Sequence, residues 1–336
     1  MNKPFLKLLC FAFGLASISS CKKPVVEPVD NRWKENEYIS YFWNEQNFSD
    51  VVAVSTTKIY VTSIYNKIFL STDKGKNFKQ QNILNTDPVY GHWNSICFSR
   101  YGNLVVGDEG AIANESDNGD GSGFWLKSSF NSDYNLYGIA SIKDYVWIIG
   151  NHKNGTSNSR VYASDNGGSS YINFTIPFKK MYGIYFWNEN NGWIVGDGSI
   201  LKSTDKGLTW KAKYNNPDAA LRDIRFFDAN HGFACGFDGL LLKTTDGGNT
   251  WIAVSVPSIG GLLDMDFTPS GHIWIAGWEP SAEGDKGVLL FSEDKGLTWN
   301  KHTYKTKPLF AIDFIDDKVG VAVGEGIIIR TETGGK

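Results

Sequence analysis

Ser203-Thr204-Asp205-Lys206-Gly207-Leu208-Thr209-Trp210 is the stretch that decides the fold, because the chain repeats it. Thr244 to Trp251 and Ser292 to Trp299 keep the same hydroxyl, acid, glycine and tryptophan at the same offsets. Ser71 to Phe78 is a fourth copy, with Phe in place of Trp. Weaker copies surround Asp117-Asn118-Gly119, where Trp125 is displaced by an insertion, and Asp165-Asn166-Gly167, where Tyr171 comes one place late. A seventh copy, Thr331 to Lys336, has Thr333 in the acid slot. The third positions fall at 73, 117, 165, 205, 246, 294 and 333, spaced by 44, 48, 40, 41, 48 and 39 residues. A period of roughly 40 to 48 residues is that of one four-stranded propeller blade.

A second column runs in step with the first. Upstream of each copy lies an apolar residue, any residue, a small residue or Asp, then Ile, Val or Met. The instances are Phe48-Ser49-Asp50-Val51, Trp93-Asn94-Ser95-Ile96, Leu136-Tyr137-Gly138-Ile139, Met181-Tyr182-Gly183-Ile184, Leu221-Arg222-Asp223-Ile224, Leu262-Leu263-Asp264-Met265 and Leu309-Phe310-Ala311-Ile312. Both columns together predict an all-β, seven-bladed β-propeller of four-stranded blades over residues 32–336. Small third residues suit inner strands that crowd towards an axis. The last copy stops before its Trp-bearing strand, whereas Asn31 to Asn36 reads like Leu208 to Lys213. Trp33 is therefore expected to begin the outer strand of the last blade and close the ring.

The N-terminus carries different information. Lys3 and Lys7 precede an apolar run, Leu8 to Ala16, too short for a comfortable membrane span, and small residues then lead to Cys21. Ile18-Ser19-Ser20-Cys21 resembles a bacterial lipoprotein signal, which makes Cys21 the expected lipidation site. Residues 1–21 read as the signal peptide and 22–31 as a tether. The expected location is the bacterial cell envelope, as an outer membrane lipoprotein that meets the membrane only through its anchor. Of the four cysteines, Cys97 and Cys235 fall in the propeller without a pairing pattern, which reads as two buried free thiols. A net charge of −3 supplies no basic field for nucleic acid.

The repeated turn has a local mechanism. An Asp accepts hydrogen bonds from turn amides, a Gly permits positive φ, and a Trp folds back between sheets. Asp73, Asp117, Asp165, Asp205, Asp246 and Asp294 are accordingly read as structural. These residues resemble the Asp-box, or BNR, family known from sialidases, sortilin-type receptors and some glucanases. Gly192 to Asp205 is most similar to propellers of the photosystem II stability and assembly factor type and to bacterial secreted proteins that share the repeat. The resemblance implies the fold and leaves the ligand open.

In such propellers the second-to-third-strand loops and the blade-to-blade connections share one rim, usually the ligand face. Two such loops are long here, Gly150 to Arg160 and Gly277 to Lys286. The second carries Trp278 and Glu279, which read either as a platform for peptide or carbohydrate or as a Trp packed back on its own blade. First-strand positions add His92, Tyr137, Tyr182, Arg222 and Phe310, a mixed aromatic and cationic mouth or ordinary packing. Asp50, Asp223 and Asp264 share one column. They suit a cation or acid–base chemistry, or hydrogen bonds to the amides of a neighbouring blade. The sialidase pattern implies three arginines on a carboxylate and a Tyr nucleophile. The six arginines of this chain, at 32, 100, 160, 222, 225 and 330, do not reproduce its opening Arg-Ile-Pro context. Ser116 to Gly121 resembles the start of a calcium loop but lacks the first and last ligands, and the five histidines show no metal-ligand spacing. No metal and no cofactor are expected. The residues favour a monomeric, non-enzymatic binding or assembly-factor-like protein, whose partner is a protein or glycan on the ligand face. A glycan-binding or glycan-hydrolysing lipoprotein is the alternative.

Overall fold

The computed structural model describes residues 32–35, 47–84, 91–117, 123–258, 260–304 and 307–335. The chain divides into two units, 1–31 and 32–336. The expected signal, Cys21 and tether lie outside the described residues. Regular elements among the described residues are β-strands and one 3-10 turn, Asp108–Gly110. No helix among them is long and apolar enough to cross a membrane.

The strands pair into six sheets. The expectation of seven blades is therefore corrected to six. The overturning element is Lys211–Phe226, which stays extended from the outer position of the fourth repeat into the inner position of the fifth. On one side it pairs with Gly192–Ser203, on the other with Gly232–Gly236, and so joins both repeats into one six-stranded sheet. Four strands per blade also fails in the second repeat. There Ile83–Leu84 adds a fifth strand, parallel to Gly123–Ser129.

Within each repeat the sequence columns explain the geometry. Second strands such as Gly232–Gly236 and Gly320–Gly324 are buried along their whole length, as a strand packed between two neighbouring sheets must be. Each inner strand has a register shift across the second column position: Phe48/Asp50, Trp93/Ser95, Leu136/Gly138, Met181/Gly183, Leu221/Asp223, Leu262/Asp264 and Leu309/Ala311. The third position must be small because the next repeat's backbone is close. A Cβ on Gly183 would lie 2.6 Å from the Arg222 carbonyl oxygen, and one on Gly138 2.8 Å from that of Tyr182.

The turns behave as hairpin chemistry. Asp246 Oδ1 accepts from the amides of Asn249 and Thr250, both at 2.9 Å, while the Thr244 hydroxyl accepts from the Gly248 amide at 2.9 Å. Asp73, Asp205 and Asp294 make the matching bonds. Asp165 does not. The third-repeat turn is one residue out of the expected register, and Asn166 takes the acid slot, accepting from the Ser164 hydroxyl at 2.8 Å and the Ser170 amide at 3.0 Å. Asp165 is exposed beside it, and Tyr171 then stands in register with Trp251. Asp117 ends the strand Ala111–Asp117, paired with Gly123, and the tip of that hairpin lies outside the described residues.

Ring closure uses the two chain ends. Lys34–Glu35 pairs antiparallel with Ile327–Thr331, Lys34 opposite Arg330. That is the register of Lys211 opposite Lys202 in the fourth repeat. Trp33 is 2% exposed and meets Phe314 edge-on at 5.7 Å, as Trp210 meets Phe186 at 5.8 Å and Trp251 meets Phe226 at 5.9 Å.

Candidate functional site

The bulge of each inner strand sets up the site. An extra residue on one strand is left unpaired and re-aims its side chain. The second-position residues Ser49, Asn94, Tyr137, Tyr182, Arg222, Leu263 and Phe310 all line one cavity of about 490 Å³ on the axis. Four of the expected mouth residues are thus brought together: Tyr137, Tyr182, Arg222 and Phe310. Three are not in its wall. His92 is half-exposed and lies 3.7 Å from Asp108. Glu279 turns outward to Lys301, at 2.8 Å, on the outer strand Asn300–Tyr304. Trp278 is half-buried beside the cavity, its ring centre 6.5 Å from that of Phe237 in an edge-to-face contact.

Arg222 is the centre of the mouth. Its guanidinium lies 3.9 Å from the Tyr182 ring centre and 4.3 Å from that of Phe237. Nη1 donates to the Leu221 carbonyl at 2.9 Å and lies 3.3 Å from Asp197 Oδ1. Tyr182 in turn takes Tyr137 edge-on at 5.4 Å. Tyr137, Tyr182, Arg222, Phe237 and Trp278 therefore form one continuous arc across four consecutive repeats. Two rings hold the guanidinium flat, which fixes a cation at the rim with little side-chain freedom to lose on binding. The sequence reading missed Phe237. Its signal was an aromatic residue in the loop Gly236-Phe237-Asp238-Gly239, directly after a second strand.

Below the arc the axial carboxylates follow a rule. Asp50 Oδ2 accepts from the amide of Ile96 at 2.9 Å, Asp223 from Met265 at 3.1 Å, and Asp264 from Ile312 at 2.8 Å. Each third-position acid thus bonds the fourth-position amide of the next repeat. A second tier repeats the device two residues on, Asp266 to Phe314 at 2.8 Å and Asp313 to Ala53 at 2.5 Å. Asp313 to Ala53 ties the last repeat to the first. Arg225 sits between the tiers, 3.5 Å from Asp223 and 3.8 Å from Asp264, and donates to the Met265 carbonyl.

Burial sets the protonation of this channel. It lifts the Asp50 carboxyl to about 6 against the pull of the Ile96 and Val51 amides. Asp264 is also raised, by burial and then by repulsion from Asp223. Asp266 and Asp313 are both raised by burial first and share a hydrogen bond, as two carboxyls holding one proton do. The channel carboxylates are engaged in joining repeats. Among the described residues no group of three or more His, Cys, Asp or Glu side chains is arranged to hold a metal ion.

Fold, turns and mouth define the class: the chain is an Asp-box, or BNR, β-propeller with an aromatic and cationic rim. Comparison with known proteins bears on its kind. Residues 165–258 match the family model described as photosynthesis system II assembly factor YCF48. Among solved structures it is similar to YCF48 from Cyanidioschyzon merolae, with TM-score 0.68 and 16% identity over 90% of this chain and 99% of that one. A structure of YCF48 bound to D1 peptide matches with TM-score 0.69 and 18% identity over 90% and 97%. The WD40 β-propeller domain of Doa1 matches with TM-score 0.65 and 16% identity over 86% and 93%. No curated protein matches the sequence.

Proposed function

We propose that this protein is a non-enzymatic binding propeller that holds a protein partner across the axial mouth, an extended peptide lying along Tyr137, Tyr182, Arg222, Phe237 and Trp278. The observation that carries the reading is the Arg222 guanidinium clamped between two rings at the rim of a cavity. Aromatic and Arg anchors beside a pocket are the usual centres of binding energy in protein recognition. A similar fold with a bound peptide, YCF48 with D1 peptide, supports the same class of ligand. The glycan alternative gains nothing from the axial acids, which bond backbone amides. Localisation to the bacterial envelope through a lipid on Cys21 belongs to the same proposal and rests on the sequence of residues 1–21.

A peptide array probed with wild type and Arg222→Gln tests the binding reading. Selected peptides should lose binding at least about tenfold in the variant, the scale expected for a charged hot-spot contact. Peptides bound equally well by both proteins would place the interaction elsewhere. Fatty-acid labelling of wild type and Cys21→Ser tests the anchor, and equal label on both would remove it.

A further inference from the structure

The junction between the second and third repeats departs from the packing of its neighbour. Where the third repeat meets the fourth, Phe186 stacks on Trp147 at 3.5 Å and takes the edge of Trp210 at 5.8 Å. The corresponding positions one junction earlier are Leu104, Ser141 and Tyr171. Smaller side chains stand in all three slots, and a cavity of about 450 Å³ lies between the two repeats.

Arg160 and Tyr162 form part of its wall. They are two residues apart on the strand Arg160–Ser164 and so share one face. Arg160 and the Tyr162 hydroxyl face each other, neither Arg160 Nε nor Tyr162 Oη has a partner beyond that mutual contact, and Tyr162 is only 3% exposed. Both side chains are held in place. The Tyr162 ring stacks on Phe130 at 4.6 Å, and the Arg160 guanidinium lies 4.5 Å from the centre of the Tyr134 ring. The remaining wall is rich in amides and hydroxyls, among them Asn131, Ser128 and Asn173. Buried donors without acceptors are uncommon and costly in a native fold.

We propose that this slot binds a small anionic molecule, with a carboxylate or phosphate oxygen accepting from Arg160 and the Tyr162 hydroxyl. A guanidinium fork matches an oxyanion in both charge and geometry, and a phenol beside it supplies a further donor. The asparagine and serine side chains suit hydroxyls on the rest of the ligand, so a sugar acid or a sugar phosphate has the right chemistry. The site lies at the propeller's side and is separate from the axial mouth.

Calorimetric titration of the full chain with glucuronate, glucose 1-phosphate and glucose tests the proposal. At least one of the two acids binds saturably, and glucose does not. Binding of glucuronate alone assigns a carboxylate ligand, and of glucose 1-phosphate alone a phosphate ligand. Arg160→Gln weakens it at least about tenfold, the loss expected for a charge-assisted hydrogen bond. Tyr162→Phe keeps the ring stack and weakens it several-fold, which decides the matter if Arg160→Gln does not fold. Arg222→Gln at the mouth leaves the affinity unchanged. Absence of saturable binding by both acids, equal binding of glucose, or affinity unaltered in Tyr162→Phe and Arg160→Gln would overturn the assignment.

Discussion

Replacing Trp33 by Ala attacks the ring where it is closed by the two chain ends. Trp33 packs against Trp274 at 5.5 Å and Phe314 at 5.7 Å and leads into the two-residue strand that covers Ile327–Thr331. Truncation of a buried Trp costs about 3–5 kcal/mol through lost transfer energy and the cavity left behind. The short strand Lys34–Glu35 then has less to hold it, and its loss would expose Ile327–Thr331 as a sheet edge. For a domain of this size each kcal/mol lowers the melting temperature by roughly 2 °C, so a fall of about 5–10 °C is expected in calorimetry, in one cooperative transition. Trp187, which is 37% exposed, is the control: Trp187→Ala should cost about 1 kcal/mol or less. A Trp33→Ala protein that melts with wild type, alongside a Trp210→Ala protein that is clearly weakened, would refute closure by the N-terminal strand.

Other perturbations test the turns, the channel and the thiols. Asn166→Ala should destabilise by about 1 kcal/mol, the worth of a turn-capping hydrogen-bond set, whereas Asp165→Ala should be silent in urea denaturation. Asp50, Asp264, Asp266 and Asp313 have folded-state values above the ordinary 3.8, so between about 4 and 6 the folded protein binds more protons than the unfolded chain. Their contribution is present at low pH and lost as pH rises through the folded values, so the melting temperature should increase from pH 8 to about 5. Asp50→Asn should shrink that gain. Asp246, held at about 2 by the Thr250 hydroxyl and amide, acts in the opposite sense, and its contribution disappears as pH falls below 4. Burial pushes the Cys97 thiol up to about 12 and Cys235 well above the ordinary range, so mass mapping after alkylation should find both unmodified in the native protein and modified in denaturant.

The repeat made most of this architecture legible. Two columns in register carry the strand order, and the likeness of Asn31–Asn36 to Leu208–Lys213 foretold where Trp33 packs. Neither column marks the link between the fourth and fifth repeats, so their joining was not legible in the repeat pattern. Proline fits extended backbone, and Pro217 falls where no ladder partner is required, between Asn215 and Ala220 in the pairing. Asp165 was misplaced because an acid beside Asn-Gly looks like the box, whereas the hydrogen-bonding oxygen is counted from Ser164. At the mouth, residue type and column position identified Arg222 and Tyr182, but Glu279 depended on a rotamer that only its partner Lys301 reveals. The second acidic tier, Asp266 and Asp313, was legible in principle, because alternation along an inner strand brings residues two places beyond the third column position to the same face.

Hydrogen–deuterium exchange of the protein with and without a peptide selected on the array tests the central claim most directly. Bound peptide should slow exchange in the bulged segments 136–138, 181–183 and 221–223 and in the loop 236–239, leaving the Asp-box turns at 205–209, 246–250 and 294–298 unchanged. Protection confined to those turns or to the outer strands, with none around Arg222, would contradict binding at the axial mouth.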